Sequence, residues 1–130
     1  MSRAVSRFIR ISPRKTRLVA NFVKGKSVGQ ALGILSNLNK RACIYIEEVL
    51  RSAIANAKRN PEIEENDLYI SRLTVDGGPM LKRFRAGSMG RAMMIRHRTS
   101  HITVELETIA KQTKPEAQTK KKRPLLRRRK

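Results

Sequence analysis

The chain has 130 residues, 30 of them Lys or Arg against 10 Asp or Glu, giving a formal net charge of +20 at pH 7, with 39% hydrophobic and only 4% aromatic residues. That length suits one domain with extensions, and so large a charge implies a polyanionic partner rather than any particular fold. The lone Cys43 excludes an intramolecular disulfide or a cysteine metal cluster and fits a reducing compartment. No run is long and apolar enough for a membrane span or a secretory signal, so no membrane partner is expected.

The charge is unevenly distributed. Residues 1 to 46 carry ten cations before the first acid, Glu47, whereas residues 47 to 76 hold seven acids against four bases. The acid-free N-terminus shares its composition with organelle transit peptides, but it also scans as a strand leading into a capped helix. Residues 4 to 11 read as an edge strand, with Val5, Ile9 and Ile11 on one face and Arg7 interrupting it. Ser12 suits an N-cap and Pro13 the first helical position, and Leu18, Val19, Phe22 and Val23 form an apolar stripe ending near Gly25. Arg14, Lys15 and Arg17 fall in and just after the first turn, where cations oppose the helix dipole and an external anion would explain them.

Ser27 with Gln30 reads as a capping box opening a second short helix through Val28, Ala31, Leu32 and Leu35. From Lys40 to Arg59 the set Ala42, Ile46, Val49, Leu50, Ala53, Ile54 and Ala57 marks the longest helix and the core, with Cys43 a small core or subsurface residue. Asn60-Pro61 stops it, and an acidic link leads to a strand from Leu68 to Asp76. In that strand Leu68 and Ile70 alternate in one phase and Leu73 and Val75 in the other, which predicts a bulge near Ser71 or Arg72.

From Gly77 to His101 the chain carries Lys82, Arg83, Arg85, Arg91, Arg96 and Arg98, and no acid occurs between Asp76 and Glu105. Strand-like runs, Leu68 to Val75 and Ile102 to Leu106, flank it, and Gly87-Ser88-Met89-Gly90 supplies turn chemistry near its middle, so the stretch reads as one long β-hairpin. Arms of about ten residues would carry the tip roughly 30 Å beyond the flanking strands. A lone two-stranded ribbon is marginal in water, and a solubility device would mix charge signs. Nucleic acid would supply both a surface to bury against and the counter-charge. Phe84, Met89, Met93 and Met94 either pack across the ribbon or meet nucleotide faces, and the scarcity of aromatics points to recognition of folded RNA through backbone and shape.

The expected fold is α+β: three helices packed on a small antiparallel sheet of about three strands, with a long protruding β-hairpin and a basic disordered C-terminal tail. Residues 1 to 109 would form the RNA-binding domain and 110 to 130 the tail, whose last twenty residues hold ten Lys or Arg against Glu116 alone. No metal site or cofactor is expected, since four residues of extended chain would hold His97 and His101 about 13 Å apart. No phosphate-loop, nucleophile-elbow or zinc-protease motif occurs, so no enzyme is expected. Composition alone leaves one rival open, a nucleoid-type DNA-binding protein with a minor-groove ribbon; a further rival, an enzyme of ribosomal RNA processing, is disfavoured by the absence of any site.

The stretches ISPRKTRLVANFVKGK from Ile11 to Lys26, AIANAKRN from Ala53 to Asn60 and GRAMMIRHRTSHITVELE from Gly90 to Glu107 are more specific. The last holds a Gly-Arg pair, nine intervening residues and then His101-Ile102 with alternating Thr103, Val104, Glu105 and Leu106. On these residues the chain resembles the large-subunit ribosomal protein number twenty-two family, in its bacterial or organellar form, over roughly residues 3 to 107. The resemblance implies a structural component of the large ribosomal subunit that binds large-subunit ribosomal RNA, supports assembly and lines the nascent-peptide exit tunnel with its hairpin tip. It implies neighbouring ribosomal proteins and the nascent polypeptide in transit as further partners, and a ribosomal, cytoplasmic location. Lys82, Arg83, Arg85, Arg91, Arg96 and Arg98 would contact RNA along the hairpin, and Arg14, Lys15 and Arg17 would do so from the domain. Ala86, Gly87, Ser88, Met89 and Gly90 would face the tunnel, although this tip lacks the proline and the basic residue usual in the family.

Overall fold

A computed structural model describes residues 1–60 and 63–108. The chain runs β1 (Ser2–Ile9), α1 (Pro13–Val23), α2 (Val28–Asn37), α3 (Arg41–Ala57), β2 (Leu68–Ala86) and β3 (Ala92–Thr108). The three strands form one antiparallel sheet in the order β1-β3-β2. The helices cover one face, α3 packing against β1 and β3 and α1 against β2. The expected basic disordered tail lies outside the described residues.

The core sits between α3 and the sheet. Every residue expected on the inner face of α3 is buried, as is Cys43, and Ile70, Leu73, Val75, Ile102, Val104 and Leu106 face it from the strands. The predicted bulge is present: Ile70 pairs with Leu106 and Arg72 with Glu105, leaving Ser71 as the extra residue. Its side chain donates to the Glu105 carbonyl. One inserted residue reverses the side-chain alternation, which is how Leu68, Ile70, Leu73 and Val75 all reach the same face.

Three local expectations are corrected. In β1 the buried residues are Ala4 and Ile9, while Val5 is exposed. A register shift between Ser6 and Ile9, with Phe8 at φ 59°, turns the face over where Arg7 interrupts the pattern. In α1 the buried face is Thr16, Val19, Ala20 and Val23, leaving Leu18 and Phe22 exposed. Thr16 hides the true stripe because its hydroxyl donates back to the Ser12 carbonyl and so reads as polar while being satisfied. The capping box is not formed: Ser27 stands at the N-cap position of α2 without a side-chain capping bond. It is drawn instead into a bridge with Tyr69. Ser12 likewise caps α1 by position only, with no side-chain bond.

Both outer strand edges are partly covered. The Gly25 amide donates to the Ile70 carbonyl and the Ile70 amide to the Lys26 carbonyl, at 3.1 and 3.0 Å, so the α1–α2 connection lies along β2. On the other edge Asn56 of α3 donates to the Arg3 carbonyl. Beyond Gly77 and Ser100, β2 and β3 continue without a third strand as one ribbon, paired as far as Ala86 and Ala92.

Candidate nucleic-acid interface

Register decides how the ribbon presents its charge. Residues paired across an antiparallel ladder project from the same face. One face therefore carries Met80 with Arg98, Lys82 with Arg96, Phe84 with Met94 and Ala86 with Ala92. The other carries Leu81 with His97, Arg83 with Ile95 and Arg85 with Met93. Lys82 and Arg96 are like charges set directly opposite each other, which costs stability unless an anion lies between or over them. All six hairpin cations are exposed.

Among the described residues the ion pairs are Arg3 and Arg72 with Glu105, Arg51 with Glu47 and Lys58 with Glu65. None involves a hairpin cation, nor Arg14, Lys15 or Arg17. The acids have been placed where they serve the domain. Glu105 stands between Arg3 and Arg72, its direct cross-strand neighbours, on the outer face of the sheet.

At the root of the ribbon the β1–α1 junction meets both arms. Arg10 and Ser12 from the junction and Arg83, Arg96, His97 and Arg98 from the arms line an open cleft of about 620 Å³. Arg10, Arg83, Arg96 and Arg98 thus border one open cleft, Arg83 from one face of the ribbon and Arg96 and Arg98 from the other, and Arg can hold phosphate oxygens bidentately. Arg10, Ser12 and His97 were missed by sequence reasoning. The acid-free run containing Arg10 was visible, but nothing local indicates that it folds against Arg98.

Arg14 and Lys15 are exposed near the start of α1, beside the hairpin root, since a Cβ on Gly77 would lie 4.0 Å from Pro13. Arg17 has a second use, its Nε donating to the Val75 carbonyl at 2.9 Å. These three and the cleft thus form one basic region. Arg85 and Arg91 stand apart from it, near the far end of the ribbon. Exposed apolar side chains accompany the cations: Phe84, Met93, Met94 and Ile95 remain accessible despite their cross-strand neighbours.

The tip closes through a 3₁₀ turn, Ser88–Gly90, in which the Gly87 amide donates to the Arg91 carbonyl at 2.7 Å. Met89 and Gly90 take left-handed backbone angles, φ 55° and 69°. A Cβ at Gly87 would come within 2.9 Å of the Met93 side chain and 3.0 Å of the Arg91 carbonyl, so the loop can tighten only because that residue is glycine. Met89 is 94% exposed at the apex.

Among the described residues no group of His, Cys, Asp or Glu is arranged to hold a metal. No described helix is long and apolar enough to cross a membrane. His101 is engaged locally, its Nδ1 accepting a hydrogen bond from the Phe8 amide.

The profile of the family described as ribosomal protein L22p/L17e matches residues 4–107. The protein named large ribosomal subunit protein uL22 from Halothermothrix orenii (strain H 168) is 52% identical over 103 residues, spanning 79% of this chain and 91% of that relative. Its extent, taken with the three-helix, three-strand domain and its protruding ribbon, shows that the chain belongs to the ribosomal protein L22p/L17e family.

Proposed function

We propose that this protein is a structural component of the large ribosomal subunit that binds large-subunit ribosomal RNA, supports assembly and lines the nascent-peptide exit tunnel with its hairpin tip. The observation that carries the reading is electrostatic. Six cations on a ribbon outside the core have no acidic partner among the described residues, and the Halothermothrix orenii relative is named as a large-subunit protein.

The root cleft and the arms, through Lys82, Arg83, Arg85, Arg91, Arg96 and Arg98, take RNA phosphates, with Arg14, Lys15 and Arg17 extending the same surface onto the domain. Phosphate contacts position the protein, while exposed Phe84 and the methionines meet riboses and base faces. Residues 1 to 109 act as one RNA-binding unit, and the cations of residues 110 to 130 add to its affinity. Ala86, Gly87, Ser88, Met89 and Gly90 form the tunnel-facing tip, past which the nascent polypeptide moves. Neighbouring ribosomal proteins and a cytoplasmic ribosome complete the setting. The protein's contribution is binding and shape, with no cofactor and no turnover.

Two measurements test this. The protein should co-sediment with large subunits through a high-salt cushion and prefer structured ribosomal RNA over duplex DNA at matched salt; the reverse preference would favour a DNA-binding protein. A photo-cross-linker replacing Met89 should capture nascent chains in stalled ribosomes. Stable subunit association without nascent-chain capture would remove the tunnel role and leave RNA binding intact.

A further inference from the structure

Two register shifts meet at one level of the sheet. There both neighbours of β3 bulge. On one side Ser6 pairs with Ile102 and Ile9 with Ser100, and on the other Gly77 pairs with Ser100 and Met80 with Arg98. Both bulges therefore abut Ser100, each with one residue more than β3 provides. A bulge bends its own strand and increases local twist. Here β1 ends at Ile9 and leads into α1, while β2 continues beyond its bulge paired with β3 to the tip.

Two β3 side chains contact these bulges. Thr99 is 4% exposed, and its hydroxyl donates to the Pro79 carbonyl at 2.7 Å inside the β2 bulge. His101 touches both bulges. Its Nδ1 accepts the Phe8 amide at 3.0 Å, which places the imidazole proton on Nε2, and the two rings meet edge to face with centroids 4.9 Å apart. On its other side a Cβ at Gly78 would lie 3.1 Å from the imidazole and would collide with the Thr99 hydroxyl. The left-handed Phe8 backbone is unfavourable for a residue with a side chain, and the His101 acceptor meets its amide where the ladder is interrupted.

We infer that Thr99 and His101 are positioning residues that lock the two facing bulges and thereby set the angle at which the RNA-binding hairpin leaves the domain. The inference deepens the RNA-binding reading, but its test is made on the free protein. Failure here would leave RNA binding standing, and failure of RNA binding would leave the angle measurement unaffected.

The experiment places nitroxide labels at Ser52→Cys, exposed on α3, and Ala92→Cys, exposed at the far end of the ribbon, in the full chain with Cys43→Ala. Their distance distribution is measured by pulsed electron spin resonance, with circular dichroism confirming a folded domain. Some seven residues separate the bulge from the labelled end, a lever of about 23 Å, so each ten degrees of redirection displaces that end by about 4 Å. Thr99→Val, which lacks the hydroxyl, should shift or broaden the distribution, and Thr99→Ser, which keeps it, should restore the parent one. Gly78→Ala, acting on the same contact from β2, and His101→Phe, which keeps a ring without the acceptor, should also displace it. Parent-like distributions in both Thr99→Val and Gly78→Ala, or displacement by Thr99→Ser as large as by Thr99→Val, would overturn the inference. A parent-like His101→Phe would remove His101 from it.

Discussion

The Nε of Arg17 donates to the carbonyl oxygen of Val75 at 2.9 Å, joining α1 to the outer edge of β2 two residues before the hairpin root. One of the cations expected to meet RNA thus also holds the domain together, and its neighbours Arg14 and Lys15 do not. Arg17→Lys keeps the charge but loses the planar donor geometry. It should lower domain stability by about 1 kcal/mol in urea unfolding, whereas Arg14→Gln should leave the midpoint within about 0.5 kcal/mol and weaken only RNA binding. Equal unfolding curves for Arg17→Lys and the parent would show that the bond contributes nothing.

Binding to ribosomal RNA should depend steeply on salt, because each neutralised phosphate releases counterions. With the six hairpin cations engaged, log K against log salt should fall with a slope contribution of about −4 to −5. Replacing Lys82, Arg96 and Arg98 together by Gln should flatten the slope by roughly 2 to 3, measured by filter binding across a salt series. An unchanged slope would assign the phosphate contacts to the domain or to residues 110–130.

Two glycines should respond in opposite directions to the same substitution. Nothing lies within 4 Å of a Cβ at either Gly25 or Gly33, so packing cannot decide the outcome and backbone conformation must. Gly25 has φ 76°, and Gly25→Ala should destabilise the domain by about 1–2 kcal/mol. Gly33 lies within α2, and Gly33→Ala should stabilise by about 0.4–1 kcal/mol through the unfolded state. Thermal unfolding of the two variants, compared with the parent, reads both signs.

The Tyr69 phenol donates to Glu107 at 2.8 Å. That hydrogen bond, then burial, then the negative charge of Glu107 hold its pKa above the ordinary value of about 10. Because the folded value is raised, the stabilisation is fully present below the unfolded pKa and is lost as pH rises through the higher folded one. In a Tyr45→Phe background the phenolate absorbance should therefore titrate above the ordinary tyrosine range, and Glu107→Ala should bring the midpoint down. A midpoint insensitive to Glu107→Ala would mean that the bond does not persist in solution.

Much of this architecture is legible in the order of residues, because it depends on periodicity and punctuation. The α3 core, the hairpin tip at Gly87-Ser88-Met89-Gly90 and even the Ser71 bulge follow from spacing alone, since one extra residue must reverse a two-residue alternation. The absence of acids between Asp76 and Glu105 likewise marks the hairpin as a basic surface without local counter-charge. Side-chain burial around α1 and β1 was not legible. Thr16 is buried because its hydroxyl is satisfied locally, Leu18 and Phe22 are exposed because the sheet lies on the other side, and Val5 changes places with Ala4 below the bulge at Phe8. Ser27 makes no capping bond, and its backbone bridges Tyr69 in an edge pairing that no local pattern announces. Only the tertiary structure could put Arg10 on the same cleft as Arg83, Arg96 and Arg98, or set Phe8, Gly78 and Thr99 around His101. Those arrangements join segments far apart in the chain, and the second sits where both neighbours of β3 bulge beside Ser100, a coincidence of register across three strands that no single stretch encodes.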